Sequence, residues 1–359
     1  MKIEDKILIW LDKFEFLTPK KRATIFDTLK SETFFEDFVK NYPKIEEVVT
    51  YNQFAIMQQD IKNVGIDKYI SELESKNIIP ITKNNENYPK SLLQIGDPPE
   101  ILYCKGDISL LNSENNIAIV GTRRPSNYGR EITEKLAREL TASGFNIVSG
   151  LADGVDTISH KGCLKEGGKT IAVVAGGLEY IYPALNKKLS EEIAKSGLIV
   201  TEKPPKYKAQ TYDFPIRNRI IAGLAKGVLI TEAGLKSGTM HTKDYAIEYG
   251  KELFVVPGNI TNEQSEGCNH ILKQLPSNMV LSVNDILDAF NKPKYKVVPK
   301  NVQLNLDEAM IFNLLKNGEL TFDEILLKTQ LDGNSLLKTL TLLSFRGIIK
   351  KLAGNTYSL

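Results

Sequence analysis

The sequence predicts an α/β fold whose central domain is a Rossmann-like, doubly wound parallel sheet. Between about residues 115 and 290, short apolar runs alternate with segments that have helical periodicity. These runs are Ile117–Val120, Asn146–Ser149, Thr170–Ala175, Leu198–Thr201, Val228–Thr231 and Leu253–Val256. Largely apolar strands that are separated by helices are typical of a parallel sheet that is buried on both faces. Right-handed crossovers place the carboxyl ends of such strands at one edge of the sheet.

The segment before this sheet predicts a small helical domain. Residues 1–80 carry apolar side chains at helical spacing, such as Ile3, Ile7 and Trp10, and we expect several short helices there. The central domain is expected to cover residues 81–290. It begins with a proline-rich arm that we expect to add one or two strands to the sheet.

The segment after the sheet predicts a linker and a third domain. Residues 291–300 contain two prolines and four lysines, which is typical of a linker. Residues 301–359 then carry three helical patterns and the turn pair Gly354-Asn355, which together predict a winged-helix domain. The helical patterns cover residues 306–316, 321–329 and 334–345. This domain has six basic and six acidic side chains, so both DNA contact and protein docking remain open for it.

Composition narrows the possible classes of protein. At roughly 150 residues per domain, 359 residues suggest two or three domains. The net charge of +2 means that any site for a polyanion is a local patch. The three cysteines are far apart, which disfavours a disulfide framework or a metal cluster and suits a reducing cytoplasm. Charges interrupt every apolar run, so we expect neither a signal peptide nor a transmembrane helix.

Four strand ends in the central domain are rich in glycine and small polar residues. They are Gly121–Gly129, Ser149–Gly154, Gly176-Gly177 and Glu232–Thr239. Glycine lets backbone amides approach an anion closely, and a helix that follows such a loop adds the positive end of its dipole. Tight strand-to-helix turns also require glycine. Four such loops at one edge nevertheless favour an extended anion-binding site.

Basic and aromatic residues occur at the same edge. Arg123 follows the first strand of the domain, Arg217 and Arg219 begin a helix together with Phe214, and Lys187 follows a Tyr-Pro pair. Arginine binds phosphate through two parallel hydrogen bonds, and an aromatic ring offers a face to a base. A basic groove with stacking rings is typical of single-stranded nucleic-acid binding. The alternative interpretation is that Phe214 fills the core and that the arginines form surface ion pairs.

The usual nucleotide motifs are missing from the strand ends. After Gly121 the chain continues Thr-Arg-Arg, which breaks the dinucleotide pattern G-x-G-x-x-G, and no P-loop pattern G-x-x-x-x-G-K-[ST] occurs. The sequence therefore disfavours NAD-dependent chemistry and NTP hydrolysis, and it indicates no cofactor and no metal.

An ordered set of motifs resembles the DNA-processing protein A (DprA, also called Smf) family of bacteria. The resemblance runs from about Tyr88 to Ile271. Its motifs are Gly121-Thr-Arg, Ser149-Gly-Leu-Ala-x-Gly-Val-Asp156, Tyr182-Pro183, Phe214-Pro-x-Arg-Asn-Arg219, Ser237-Gly-Thr239, Val256-Pro-Gly258 and Gly267-Cys-Asn269. It implies a non-catalytic, cytoplasmic protein that coats incoming single-stranded DNA and helps to load the RecA recombinase in natural transformation. It also implies a homodimer, a sterile-alpha-motif-like (SAM-like) N-terminal domain and a winged-helix C-terminal domain.

The resemblance also implies roles for individual residues. It implies one phosphate-binding site at Gly121, Thr122 and Arg123 and another at Ser237, Gly238 and Thr239. Arg217 and Arg219 would line the groove, Lys187 would add charge, and Phe214 would stack on a base. The other expected DNA-binding positions are the glycine-loop residues Ser149, Gly150, Gly176 and Gly177. The chain departs from the family pattern at Asp153, where a basic residue is usual.

A nucleotide-binding hydrolase of a related Rossmann-like fold is the main alternative. Such enzymes carry a glutamate soon after a Gly-Thr pair, whereas here Gly238-Thr239 is followed by Met-His-Thr-Lys. Two further side chains have simpler expected roles. We expect Glu232 to pair with Arg217 or Arg219, and His160 to form a core hydrogen bond.

Overall fold

The structure is a computed structural model that describes residues 1–295, 304–316, 318–346 and 348–358. Its chain forms two compact units, Met1–Tyr295 and Lys296–Leu359. Part of the predicted linker, residues 296–300, and the first residues of the predicted third domain, 301–303, lie outside the described residues. Among the described helices, none is both long and apolar enough to cross a membrane.

The first unit begins with short helices, as the sequence predicts. They are α1 (Ile3–Asp12), α2 (Pro19–Leu29), α3 (Phe34–Asp37), α4 (Tyr51–Asn63) and α5 (Gly65–Ser75). Trp10 is fully buried at their centre and makes edge-to-face contacts with four phenylalanine rings at 5.0 to 5.8 Å between ring centroids. Such contacts stabilise a core beyond the area they bury. Two side chains of the following sheet, Ile101 and Tyr103, belong to the same core.

The rest of this unit is an eight-stranded sheet with helices between its strands. The strands are β1 (Ile79–Thr82), β2 (Ile101–Gly106), β3 (Asn116–Val120), β4 (Asn146–Ser149), β5 (Thr170–Val173), β6 (Leu198–Thr201), β7 (Gly227–Ile230) and β8 (Glu252–Val255). The helices are α6 (Asn127–Ala142), α7 (Val155–Lys165), α8 (Lys187–Ser196), α9 (Asp213–Leu224), α10 (Thr239–Glu248), α11 (Glu266–Gln274) and α12 (Val283–Ala289). The strand order is β1-β2-β6-β5-β4-β3-β7-β8.

The pairing within the sheet is mostly parallel. Strands β3 to β8 run parallel to one another, whereas β1 and β2 form an antiparallel hairpin that pairs antiparallel with β6. This hairpin comes from the proline-rich arm. The predicted Rossmann-like sheet is confirmed.

The apolar strands are buried because helices cover both faces of the sheet. Alternate residues of β3 belong to different cores: Ala118 and Val120 pack in the core that contains α9 and α10, and Ile117 and Ile119 pack in the core that contains α6 and α7. Neighbouring residues of a strand point to opposite faces, so a strand between two helical layers is apolar at every position.

The second unit contains three helices and a small antiparallel sheet. The helices are α13 (Leu306–Leu315), α14 (Phe322–Thr329) and α15 (Gly333–Phe345), and the strands are β9 (Leu320–Thr321), β10 (Lys350–Lys351) and β11 (Thr356–Ser358), in the order β10-β11-β9. Asn305 and Thr321 begin α13 and α14 with reciprocal capping boxes. The helices lie where their periodicity predicts, and β10 and β11 enclose the Gly354-Asn355 turn. The winged-helix assignment stays a prediction.

Candidate nucleic-acid interface

The candidate site lies where the direction of strand addition in the sheet reverses. The chain adds β4, β5 and β6 on one side of β3 and then returns to place β7 on the other side. The helix after β3, α6, packs on one face of the sheet, and the helix after β7, α10, packs on the other. The loops after β3 and β7 therefore diverge and leave a crevice at the carboxyl edge, which is where open α/β sheets bind ligands.

This crevice holds a cavity of about 520 Å³, which we call the cradle. Seven of the residues expected from the sequence line it, and they are Gly121, Arg123, Phe214, Arg217, Ser237, Gly238 and Thr239. They come from the loop after β3, the first turns of α9, and the start of α10. Ala152, from the loop Ser149–Gly154, also lines the cradle, so the fold brings together three of the four glycine-rich loops and the arginine-bearing helix.

Arg217 forms a buried wall of the cradle. Its residue is only 5% exposed, and its Nη1 donates hydrogen bonds to the carbonyl oxygens of Gly150, at 2.6 Å, and Val173. The two carbonyl oxygens anchor the guanidinium but carry no net charge, so they do not neutralise it. The guanidinium is therefore fixed at the cavity before any anion arrives.

The charge of Arg217 is only partly balanced by Asp156. Burial lowers the pKa of Arg217 to about 10, nearby Asp156 acts in the opposite direction, and Arg123 adds to the lowering. Burial raises the pKa of Asp156 even though Arg217 and the amides of Gly150 and Ala152 favour its ionised form. A cation near the N-terminus of a helix opposes the helix dipole unless an anion is supplied. The structure supplies carbonyl oxygens and one buried carboxyl instead.

Arg123 and two aromatic rings form the outer part of the cradle. Arg123 is exposed, and its guanidinium carbon lies 5.3 Å from the centroid of the Phe214 ring. The Tyr182 ring lies 5.5 Å from the Phe214 ring at an interplanar angle of 64°, and Tyr182 is 58% exposed. An arginine over a ring is held by a cation–π contact while its donors stay available. Phe214 is half-buried, so part of the residue packs against the protein and part is accessible to solvent.

The start of α10 closes the cradle on a third side. Gly238 precedes α10, and no side chain caps the first turn from this position. The Ser237 hydroxyl donates to the Thr239 hydroxyl at 2.9 Å and accepts from the Thr239 amide at 3.2 Å. A Cβ at Gly238 would meet no atom within 4 Å, so the backbone is open to an approaching group here. The positive end of a helix dipole suits a phosphate.

The loop that carries Arg123 is held by residues behind the cradle. Thr122 donates through its hydroxyl to Gln264 at 2.7 Å. Glu232 accepts hydrogen bonds from the amide and hydroxyl of Ser126, at 2.7 and 2.6 Å, and from the side chain of Asn262 at 3.0 Å. The expectation that Glu232 pairs with Arg217 or Arg219 is therefore wrong. Its carboxylate instead fixes the N-cap residue of α6.

The other glycine-loop residues expected to bind DNA, which are Ser149, Gly150, Gly176 and Gly177, do not line the cradle. Ser149 is fully buried and donates to the carbonyl of Ile119, and both backbone groups of Gly150 are used by Asp156 and Arg217. They support the wall from behind. Gly176 and Gly177 are covered by another segment, since a Cβ at Gly177 would lie 2.2 Å from the carbonyl oxygen of Pro204. A direct contact of these four residues with DNA has no support in this geometry.

Arg219 faces away from the cradle, which corrects the expectation that it lines the groove. It is 5% exposed, and it donates to Glu202 at 2.6 Å and to Asp97 at 3.3 Å. Burial lowers its pKa, but the two carboxylates outweigh burial and raise it. Residues two apart on a helix do not share a face, so Arg217 and Arg219 point to different surroundings.

Lys187 also lies outside the cradle. It is the first residue of α8, it is exposed, and it lines a separate cavity of about 300 Å³. His160 belongs to the core: it is fully buried, its Nδ1 lies 2.7 Å from the Thr170 hydroxyl, and burial lowers its pKa to about 3. Asp153 is exposed and does not line the cradle.

Sequence reasoning missed several polar residues that line the cradle, among them Thr211, Asn218 and Thr242. Asn218 accepts from Arg217 Nε at 3.3 Å and donates to the Gly238 carbonyl at 3.4 Å, so it joins α9 to the start of α10. Thr242 lies one turn after Thr239. The sequence could have indicated Asn218 as a site residue, because it lies between Arg217 and Arg219. Within the described ranges, no group of three or more His, Cys, Asp or Glu residues is placed to hold a metal ion.

Comparisons with known proteins agree on one family. The family described as "DNA recombination-mediator protein A" matches residues 80–291. The DNA processing protein DprA of Bacillus subtilis (strain 168) is 36% identical over 271 residues, which are 76% of this chain and 84% of that protein. The X-ray structure of DprA from Streptococcus pneumoniae is similar with a TM-score of 0.64 at 32% identity, and the match covers 79% of this chain and 97% of that one.

A second solved structure is also similar. It is DNA processing protein A from Helicobacter pylori, studied for that protein's single-stranded DNA binding mode. The TM-score is 0.55 at 36% identity, and the match covers 60% of this chain and 95% of that one.

Proposed function

Because the chain belongs to the DNA recombination-mediator protein A family, we propose that it binds single-stranded DNA at the cradle, largely independently of sequence. The observation that carries this proposal is the joint placement of Arg217, Arg123 and the start of α10 around one cavity with the Phe214 ring. Cations and backbone amides suit phosphates, and the ring suits a base.

The arrangement supports binding to single strands without base readout. The cationic groups of the cradle recognise the backbone, which is the same for every sequence. Phe214 and Tyr182 can stack only on bases that are free of a duplex, and stacking tolerates every base because each has a π-face. We therefore expect single strands to bind more tightly than duplexes of the same length.

The wider role belongs to the same proposal, and family membership supports it. The protein acts in the cytoplasm as a homodimer, without turnover, and helps to load a RecA-type recombinase onto incoming single-stranded DNA during natural transformation.

The alternative proposal, a nucleotide-binding hydrolase, requires a carboxylate that can stabilise positive charge on a sugar. Asp156 is the carboxylate that lines the cradle, and its oxygen is engaged by two backbone amides beside Arg217. Glu232 is held by Ser126 and Asn262. These engagements favour binding over hydrolysis.

Fluorescence anisotropy with labelled single- and double-stranded oligonucleotides across a salt series tests the proposal. Preference for the single strand, a steep salt dependence and little dependence on sequence are the expected results. Absence of binding at modest salt would contradict it. Release of free base from a nucleoside monophosphate would instead support the hydrolase.

A further inference from the structure

Two further cavities lie beside the cradle, and each shares lining residues with the cavity before it. The first, of about 400 Å³, shares Tyr182, Thr211 and Phe214 with the cradle. The second, of about 300 Å³, shares Tyr180 and Ile181 with the first. We call these two cavities together the side groove. The cradle and the side groove are therefore neighbouring cavities with common walls.

The side groove repeats the chemistry of the cradle. Tyr180 is 46% exposed, and the ammonium of Lys208 lies 5.3 Å from the centroid of its ring. Lys105, from β2, and Lys187, from α8, line the far end. A cationic surface with an exposed ring suits single-stranded nucleic acid in the same way as the cradle does.

The charges in the side groove are available to an outside anion. Among the described residues, none forms an ion pair with Lys105, Lys187 or Lys208. Two carboxylates line the groove, and one of them, Glu179, is paired with Lys76 at 2.9 Å. Glu191 is the other, so three lysines face one carboxylate that lacks a partner in the described part of the chain.

The side groove also accounts for the position of Lys187. The family resemblance assigns Lys187 to the DNA-binding groove, yet the cradle does not include it. Tyr182 lies on the wall between the cradle and the first cavity of the side groove, and Tyr180 lies on the wall between that cavity and the one that Lys187 lines.

We propose that a bound single strand continues from the cradle into the side groove, where Lys208, Lys187 and Lys105 contact its phosphates and Tyr180 contacts a base. This inference rests on the proposed function and adds a path for the strand. It predicts that the protein uses more nucleotides than the cradle alone can hold.

The test compares oligothymidylates of about six and about twelve nucleotides, lengths within the range of known single-strand site sizes. A longer oligonucleotide offers more positions at which the protein can bind, and this raises the affinity of every variant alike. Wild-type protein should gain more affinity with length than this effect alone gives. The double variant Lys105→Gln/Lys208→Gln should bind the shorter oligonucleotide as the wild type does and lose the extra gain. Its slope of log K against log salt on the longer oligonucleotide should fall by about 1.4, which is about 0.7 for each lost contact on a single strand.

Lys188→Gln is the matched control. Lys188 is exposed on the same helix as Lys187 but lines neither the cradle nor the side groove, so its variant should behave as the wild type. Tyr180→Ala should reduce the gain with length while the salt slope stays unchanged, because a ring carries no charge.

The outcomes separate this inference from the proposed function. If the double variant keeps the full gain with length, or if Lys188→Gln loses as much of it, the side groove is not the path. If wild-type protein binds neither oligonucleotide, the proposed function itself fails.

Discussion

Each of the two faces of α9 carries an arginine, and the two arginines have different roles. Arg217 lies on the face that lines the cradle, and carbonyl oxygens anchor it without neutralising its charge. Arg219 lies on the other face, where Glu202 and Asp97 neutralise it. Both residues are 5% exposed, so burial alone does not distinguish a binding arginine from a structural one. The partners of the guanidinium make the difference.

The largest effect is expected for Arg217→Gln, which changes both binding and stability. Hydrogen bonds to charged groups are worth about 1.5–3 kcal/mol, so the loss should weaken single-stranded DNA binding by about tenfold or more. The unfolding free energy should also fall, because buried Asp156 loses its neighbouring cation. Anisotropy at fixed salt and urea unfolding measure the two effects. If a folded Arg217→Gln variant bound single-stranded DNA as tightly as the wild type, Arg217 would not be part of the interface.

Arg219→Gln should affect stability alone. Removing one partner of a buried ion pair costs about 3 kcal/mol, because the other charge stays buried without a counter-ion. Glu202, whose side chain is 18% exposed, would be that charge. Urea unfolding should show the loss, and the folded protein should bind DNA as the wild type does. Weaker binding by a fully folded variant would mean that the two faces of α9 are not separate.

Arg123→Gln should affect binding alone. Arg123 is exposed and contacts the Phe214 ring, so its loss should leave the unfolding free energy nearly unchanged. The affinity for single-stranded DNA should fall severalfold and equally for unrelated sequences, since phosphate contacts carry no base information. Competition between oligonucleotides of different sequence measures this. A loss confined to one sequence would indicate base readout by Arg123.

The smallest expected effect is a change in the pKa of His160, which depends on the charge of Arg217. Burial and, to a smaller extent, Arg217 lower the pKa of His160 to about 3 from its usual 6.5. The neutral ring is favoured in the folded state, so this group's contribution to stability is full above pH 6.5 and is lost as the pH falls from there towards 3. Arg217→Gln should raise the pKa of His160, and Arg219→Gln should not. NMR titration of the ring protons distinguishes the variants, and equal shifts in both would contradict the comparison.

The sequence was sufficient for strands β3 to β7 because almost every residue of these strands is buried, on both faces of the sheet. Asn146–Ser149 and Leu198–Thr201 were predicted with the bounds that the structure has, and Val228–Thr231 differs from β7 by one residue at each end. Tight strand-to-helix loops also showed where the carboxyl edge lies. The hairpin of β1 and β2 was expected only as one or two added strands, since its pairing partner β6 follows about 100 residues later.

The roles of individual arginines could not be predicted from the sequence. The motif Phe214-Pro-Ile-Arg-Asn-Arg219 presents Arg217 and Arg219 as equivalent. Asp97, which pairs with Arg219, lies 122 residues away, and Gly150, whose carbonyl anchors Arg217, lies 67 residues away. Long-range partners of this kind depend on how the chain folds. Glu232 illustrates the same limit, because its partners Ser126 and Asn262 lie on two distant loops.

The most direct test of the central claim is the salt dependence of single-stranded DNA affinity for Arg217→Gln and Arg219→Gln, measured side by side. The magnitude of the slope of log K against log salt should fall by about 0.7 for Arg217→Gln, which loses one phosphate contact, and should stay at the wild-type value for Arg219→Gln. Equal slopes in both variants, whether both are reduced or both match the wild type, would contradict the account of α9 as a helix with one binding face and one structural face.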